Sequence, residues 1–128
     1  MEFVWPATAG EWLAFASALF FVIVGGALVV APRPFMRLAG FGSTPSAALV
    51  SELRGALGGV WLGLGLAALL LMQPLIHIAL GSAMAFAVLA RLLGAAIERR
   101  MPPFVILATL FEAAVAAACF AWPLGWVG

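Results

Sequence analysis

Charged residues are scarce in this 128-residue chain, since Asp, Glu, Lys and Arg together make up 9% of it. A soluble domain carries charge on about a quarter of its residues. Hydrophobic residues reach 66%, and the mean hydropathy is +1.23. This composition excludes a soluble globular domain and predicts an integral membrane protein. The six cations are all Arg and occur in ones and twos, so no nucleic-acid partner is expected.

Cysteine and histidine are nearly absent, with one of each, Cys119 and His77. One cysteine cannot form an internal disulfide, and no C-x-x-C motif is present for thiol–disulfide exchange. A bis-imidazole haem needs a second His, and zinc needs ligands that the sequence does not offer. We therefore expect no catalytic residue, no cofactor, no metal and no enzymatic activity. Cys119 is interpreted as a small buried apolar residue, and His77 as an interfacial polar residue.

Four long apolar segments account for most of the chain, at residues 12–31, 45–72, 75–97 and 104–122. About 20 apolar residues are enough for a helix to cross the hydrocarbon core. Prolines separate the segments, and Ser43 and Thr44 before Pro45 are predicted to cap the second helix. The sequence thus predicts an all-α fold, a four-helix transmembrane bundle that forms one domain over residues 1–128. Residues 32–42 mix Arg with Phe, Met and Leu and are predicted to be an amphipathic interfacial segment.

The arginines outside the apolar segments fall in two of the three connections. Arg33 and Arg37 lie in the first connection, and Arg99 and Arg100 lie in the third. Because cytoplasmic loops carry an excess of Lys and Arg, both connections are predicted to be cytoplasmic. Both termini are therefore expected outside.

The second apolar segment contains a regular series of glycines close to two charges of opposite sign. On a helix that turns 100° per residue, Gly55, Gly59 and Gly63 share one face with Glu52. Small residues at every fourth position allow close helix packing in membranes, so this face is predicted to be the packing spine of the bundle. Arg54 falls on roughly the opposite side. That side carries small residues as well, at Gly58 and Gly65.

Two charges fall inside the third and fourth apolar segments, Arg91 and Glu112. Glu112 lies about 14 Å from the predicted cytoplasmic end of its helix, too deep for its carboxylate to reach water. An unpaired charge there costs at least about 2.5–3.5 kcal/mol. The two residues lie on antiparallel neighbours and differ in depth by only about one helical turn. We predict an Arg91–Glu112 pair, joined by Glu52 and Arg54 at the cytoplasmic end, in either a structural or a functional role.

The polar residues of the third helix share one stripe, which is predicted to face inward. The stripe consists of His77, Leu80, Met84, Ala87, Arg91 and Glu98. The side of the fourth helix that carries Glu112 holds Thr109, Ala116 and Cys119.

The series Glu52-Leu53-Arg54-Gly55-Ala56-Leu57-Gly58-Gly59, followed by Arg91 and Glu112, resembles the DUF4345 family of small bacterial four-helix membrane proteins. The resemblance extends over most of the chain, and DoxX-type four-helix proteins are similar at this level. In that family an acidic residue and an Arg precede a Gly-rich second helix, an Arg lies late in the third helix, and an acidic residue lies in the fourth. These correspond here to Glu52, Arg54, Arg91 and Glu112. The resemblance implies a bundle in the bacterial inner membrane without an established reaction, and some relatives carry a label that links them to phage infection.

Two classes of function fit these features. The first is a non-enzymatic accessory, scaffold or interaction subunit, whose glycine face binds a second copy or a larger membrane complex; a host factor for phage infection is a special case. The alternative is a small transporter or lipid-binding protein with Arg91 and Glu112 in a cytoplasm-facing cavity, where an anionic lipid headgroup meets Arg91 or Arg54. This alternative predicts a pocket between the second, third and fourth helices. The lipid bilayer is an expected partner in both classes.

Overall fold

In the computed structural model, which describes residues 3–42 and 44–128, all regular secondary structure is helical. The five helices are α1 (Ala9–Val30), α2 (Pro32–Leu38), α3 (Ala47–Leu71), α4 (Pro74–Glu98) and α5 (Pro103–Ala121). Helices α1, α3, α4 and α5 are each long and apolar enough to cross a membrane. The predicted all-α architecture with four apolar spans is confirmed, and it is that of a multi-pass helical membrane protein.

Helix α1 begins at Ala9 rather than at residue 12 because a capping box forms before the apolar run. The Thr8 hydroxyl accepts a hydrogen bond from the Glu11 backbone N–H at 3.2 Å, and the Glu11 carboxylate accepts one from the Ala7 N–H at 2.7 Å. The bond to Thr8 satisfies an N–H group that the first turn of a helix leaves without an intrahelical partner, and the bond to Glu11 holds the residue before the cap. Hydropathy alone therefore placed the start of the helix too late.

Helix α3 begins at Ala47, and its cap is Ser46, whose hydroxyl accepts a hydrogen bond from the Leu49 N–H at 3.1 Å. The predicted cap at Thr44 is therefore wrong, and Ser43 lies outside the described residues. Residues Leu53–Gly59 of α3 form a π-helical stretch. A π-helical turn holds more residues than an α-helical one, so the stretch changes which side chains share a face with the rest of α3.

The predicted amphipathic segment at residues 32–42 is helical only from Pro32 to Leu38. Its helix ends in a Schellman motif, in which Gly40 has φ +91°. In this motif the Gly40 N–H donates to Arg37 O at 3.2 Å, and the Phe41 N–H donates to Met36 O at 2.9 Å. Met36 is fully buried under the helix, while both arginines of α2 are exposed. Helix α2 therefore has the amphipathic character predicted for the segment.

The four long helices form two closely packed pairs. Helix α1 packs along α3, and α4 packs along α5; α1 also contacts α5, whereas α3 and α4 contact each other much less. Phe35 of α2 packs edge-on against Phe104 of α5, with ring centroids 5.9 Å apart, so α2 and the α4–α5 connection lie at the same end. This end, here called the arginine end, carries Arg33, Arg37, Arg99 and Arg100.

A compact apolar core fills the half of the bundle away from the arginine end. All four long helices contribute to it, through Ala18, Phe21, Ala68, Leu80, Met84, Val115, Ala116 and Cys119. The inward stripe predicted on α4 is buried at His77, Leu80 and Met84. On α5, Thr109, Glu112, Ala116 and Cys119 are buried as well. Ala87 and Arg91 of the predicted stripe are half-buried and Glu98 is exposed, so the inward side of α4 ends before its last turn.

Candidate functional site

Arg91 and Glu112 form a bidentate ion pair between α4 and α5. Arg91 Nε donates to Glu112 Oε2 at 2.7 Å, and Arg91 Nη2 donates to Oε1 at 2.9 Å. This side-on arrangement uses two parallel charge-assisted bonds, which are stronger and more directional than bonds between neutral groups. The structure thus brings these two residues together as their depths in the membrane predict.

The two partners differ in exposure. The Glu112 side chain is 9% exposed, whereas the Arg91 side chain is 34% exposed. Both carboxylate oxygens of Glu112 accept a bond from Arg91. Of the five N–H groups of a guanidinium, two donate to Glu112, which leaves three. The pair therefore presents the surface of its cation, rather than that of its anion, to its surroundings.

The open side of this pair lies in the wall of a cavity of about 650 Å³. The cavity occupies the half of the bundle nearer the arginine end, between the α1–α3 pair and the α4–α5 pair. All five helices contribute lining residues: Phe20, Val24, Leu28, Phe35, Leu57, Trp61, Ala83, Met84, Ala87, Arg91, Phe104, Leu107, Ala108, Phe111 and Glu112. Arg91 and Glu112 are the charged residues in this described lining, and the rest of it is apolar.

Aromatic rings lie on both sides of the ion pair along the cavity. Phe20 packs against Trp61 and Phe111 toward the middle of the bundle, with ring centroids 6.2 and 5.3 Å apart. Phe35 and Phe104 form the ring contact at the arginine end. A ligand in the cavity would therefore meet apolar surface both above and below the polar pair. These rings could not be assigned to a cavity from the sequence, because an aromatic residue on an apolar helix fits a packed core equally well.

The predicted four-charge cluster is wrong, because Glu52 and Arg54 do not join Arg91 and Glu112. Arg54 Nε donates instead to the backbone oxygen of Val29 at 2.9 Å. Val29 lies in the last turn of α1, where carbonyl groups have no intrahelical partner and attract cations. Glu52 is exposed, and neither it nor Arg54 lines the cavity. Arg54 therefore bonds to the C-terminal end of α1 instead of joining the predicted cluster.

The predicted packing face of α3 is also wrong. A Cβ added at Gly55 or Gly63 would meet no atom of the described structure within 4 Å, and one added at Gly59 would meet only the Arg54 oxygen of its own helix, at 3.7 Å. All three glycines are exposed.

The close contact with α1 is made by the opposite face of α3. A Cβ on Gly58 would lie 2.9 Å from Leu28 Cβ, and one on Gly65 would lie 2.8 Å from Val22 N. Gly25 of α1 fits equally closely against Gly58 and Leu62. Two small-residue faces were visible in the sequence, and the position of Gly25 on α1 determines which of them packs.

His77 is fully buried rather than interfacial. Its Nδ1 lies 3.1 Å from the backbone oxygen of Gln73, and its ring packs edge-on against Trp122 at a centroid distance of 5.5 Å. Its Nε2 has no hydrogen-bond partner among residues 3–42 and 44–128. His77 does not line the cavity, so it belongs to the packing between α4 and the end of α5.

Comparison with known proteins identifies a family. The family model described as "Domain of unknown function (DUF4345)" matches residues 10–123. No curated protein and no solved structure matches the chain. The matched residues include all four long helices except the first residue of α1, and they contain both members of the ion pair.

Proposed function

The chain belongs to the DUF4345 family, whose description names no function, and we propose from its cavity that it is a non-enzymatic lipid-binding protein of the inner membrane. In this proposal an amphipathic, lipid-like molecule lies in the cavity between the two helix pairs. Its apolar body contacts the aromatic and aliphatic walls, and its polar group contacts the Arg91–Glu112 pair. Of the functions considered, this one uses the whole site.

The size and lining of the cavity carry the proposal. A volume of about 650 Å³ falls inside the range of about 300–1,000 Å³ that is usual for small-molecule sites. Such sites are mostly apolar, with a few polar groups that fix the orientation of the ligand. Helix-packing scaffolds need no cavity of this kind, because their stability comes from close van der Waals contact between helices.

The lateral arrangement of the helices supports access from the bilayer. Because α3 and α4 contact each other little, the gap between them offers a lateral path from the bilayer to the cavity. Under the positive-inside rule the arginine end faces the cytoplasm and both termini face outward. The cavity then lies in the cytoplasmic half of the membrane, and its ligand would enter from that leaflet.

A cavity-filling variant tests the proposal. Ala108 lines the cavity on α5, whereas Ala114 lies on the exposed side of the same helix. Replacing Ala108 by Phe adds a ring inside the cavity, and Ala114→Phe adds the same ring to the lipid-facing surface. After gentle detergent purification, native mass spectrometry should detect lipid on the wild type and on Ala114→Phe but not on Ala108→Phe. Equal lipid retention by all three proteins would contradict the proposal.

A second candidate, an interaction subunit, rests on the unused glycine face. Gly55, Gly59 and Gly63 form a small-xxx-small series that no other helix of this chain covers. We propose a second copy of the chain as its partner, since such series favour symmetric helix dimers. Gly59→Ile should then abolish the dimer in nanodiscs, while Gly94→Ile, at another open glycine, should not. A monomeric wild type by single-molecule photobleaching would eliminate this candidate.

A further inference from the structure

The Arg91 guanidinium is a hydrogen-bond donor with unused capacity inside the cavity. Its Nε and one N–H of Nη2 donate to Glu112, while Nη1 has no partner among the described residues. The side chain lines the cavity and is partly exposed. Glu112, by contrast, is nearly buried, and each of its oxygens already accepts a bond. The polar part of the cavity wall therefore offers hydrogen-bond donors rather than acceptors to a ligand.

The pair as a whole carries no net charge, and the rest of the described lining is apolar. An anionic headgroup at Arg91 would place two negative groups on one cation. It would either leave a net negative charge in a poorly hydrated cavity or displace Glu112, whose carboxylate would then be buried without a partner. Both outcomes carry a substantial desolvation cost. A cationic headgroup would meet the exposed guanidinium and be repelled.

An uncharged acceptor avoids these costs. A carbonyl oxygen accepts an N–H from the guanidinium without adding charge, and it leaves the bonds to Glu112 intact. The aromatic rings on both sides of the pair require apolar groups on both sides of that acceptor. A carbonyl inside an otherwise apolar molecule meets this requirement, whereas a charged group at the end of a chain does not.

Resting on the proposed lipid-binding function, we infer that the ligand is an electroneutral amphiphile with a carbonyl acceptor, such as a long-chain ester or ketone, which binds the free N–H groups of Arg91. Glu112 acts as a specificity determinant in this site. It holds the guanidinium in place and neutralises it, so that anionic lipids are rejected.

A matched pair of probes tests the inference. Dibrominated stearic acid, ionised at pH 9, and its methyl ester have the same chain and the same heavy-atom quencher. Trp61 lines the cavity, so quenching of its fluorescence reports occupancy; a Trp61→Phe protein gives the background from the other tryptophans. The wild type in nanodiscs should bind the ester about tenfold more tightly than the acid, because the ionised acid places a second negative group beside the Arg91–Glu112 pair.

Variants of the pair should reverse or remove this preference. Glu112→Gln leaves the guanidinium with an unneutralised charge, so the acid should become the preferred probe. Arg91→Gln/Glu112→Gln removes both charges, and the two affinities should agree within about twofold, since neither a charged donor nor a charged acceptor remains. If Glu112→Gln does not fold, Arg91→Lys serves instead. It keeps the ion pair but has three N–H groups instead of five, so its affinity for the ester should fall several-fold.

The outcomes distinguish a failure of the inference about the ligand from a failure of lipid binding itself. A wild type that prefers the acid, or a ratio that is the same in the wild type and all variants, would overturn the inference while leaving lipid binding intact. Quenching of Trp61 by neither probe, together with no lipid in native mass spectrometry, would overturn lipid binding itself and the inference with it.

Discussion

Replacing Arg91 by Met should destabilise the bundle much more than replacing Glu112 by Gln, although both changes break the same ion pair. The asymmetry follows from exposure. Without Arg91, the Glu112 carboxylate remains in a position where its side chain is 9% exposed. Without the Glu112 charge, the Arg91 side chain is still 34% exposed and can turn toward the polar end of the helix.

The expected magnitudes are well separated. Removing one partner of a buried pair costs about 3–5 kcal/mol when the other charge stays buried, which applies to Arg91→Met. Glu112→Gln keeps an amide oxygen as an acceptor for Arg91, so we expect a loss of about 1–2 kcal/mol. The difference of about 2 kcal/mol corresponds to roughly a thirtyfold change in the unfolding equilibrium. The double variant Arg91→Met/Glu112→Leu should be within about 1 kcal/mol of the wild type, because no charge remains buried.

Cys119 provides the assay, because it is the one cysteine of the chain and is fully buried. A thiol-reactive dye should label it only after unfolding, so the labelled fraction in an SDS titration in mixed micelles measures stability. A Cys119→Ala protein gives the background. Equal losses in Arg91→Met and Glu112→Gln would refute the reasoning from exposure. A double variant as unstable as Arg91→Met would show that the pair contributes through packing rather than through charge.

The same assay checks three further predictions. Gly58→Ala should destabilise the bundle by about 1–3 kcal/mol, because its Cβ would meet Leu28 Cβ at 2.9 Å. Gly55→Ala should change stability by no more than about 1 kcal/mol in either direction. Equal effects of the two variants would contradict the observed packing face. Thr8→Ala should cost about 1 kcal/mol by removing the cap of α1, and an unchanged midpoint would argue against the capping box. The stability of His77→Phe should be within about 1 kcal/mol of the wild type, because the Phe ring fills the space of the imidazole. His77→Ala should lower stability by about 3 kcal/mol. The reverse order would indicate a polar role for the imidazole.

Several features were predictable because they depend on one segment at a time. The four apolar helices follow from hydropathy, and the buried side of α4 follows from the spacing of His77, Leu80 and Met84. The Arg91–Glu112 contact followed from depth, since a charge in mid-membrane needs a partner and antiparallel neighbours offered one. Helix starts were less accurate, because Thr8 lies before its apolar run and Ser46 caps α3 one residue after the proline that was expected to begin it.

Other features could not be predicted because they depend on how two helices fit against each other. The sequence offered two glycine faces on α3 and did not distinguish them, because the choice depends on the position of Gly25 across the contact. Arg54 has the right sign for the charge cluster, yet it bonds to Val29 O at the end of α1. The extent of the cavity was less accessible to prediction, because a pocket was expected only between α3, α4 and α5, whereas α1 and α2 also line it, through apolar residues that are ordinary in their own segments.

The sequence alone determined that this chain forms a membrane bundle with four apolar helices and that Arg91 and Glu112 form an ion pair. Both conclusions rest on transfer free energies, which each segment or side chain has independently of where the others lie. Tertiary structure decided which face of α3 packs, where Arg54 bonds, and that the ion pair borders a cavity instead of a solid core. These outcomes depend on how surfaces from different helices fit together, because packing acts only over contact distance and has no counterpart in any single segment.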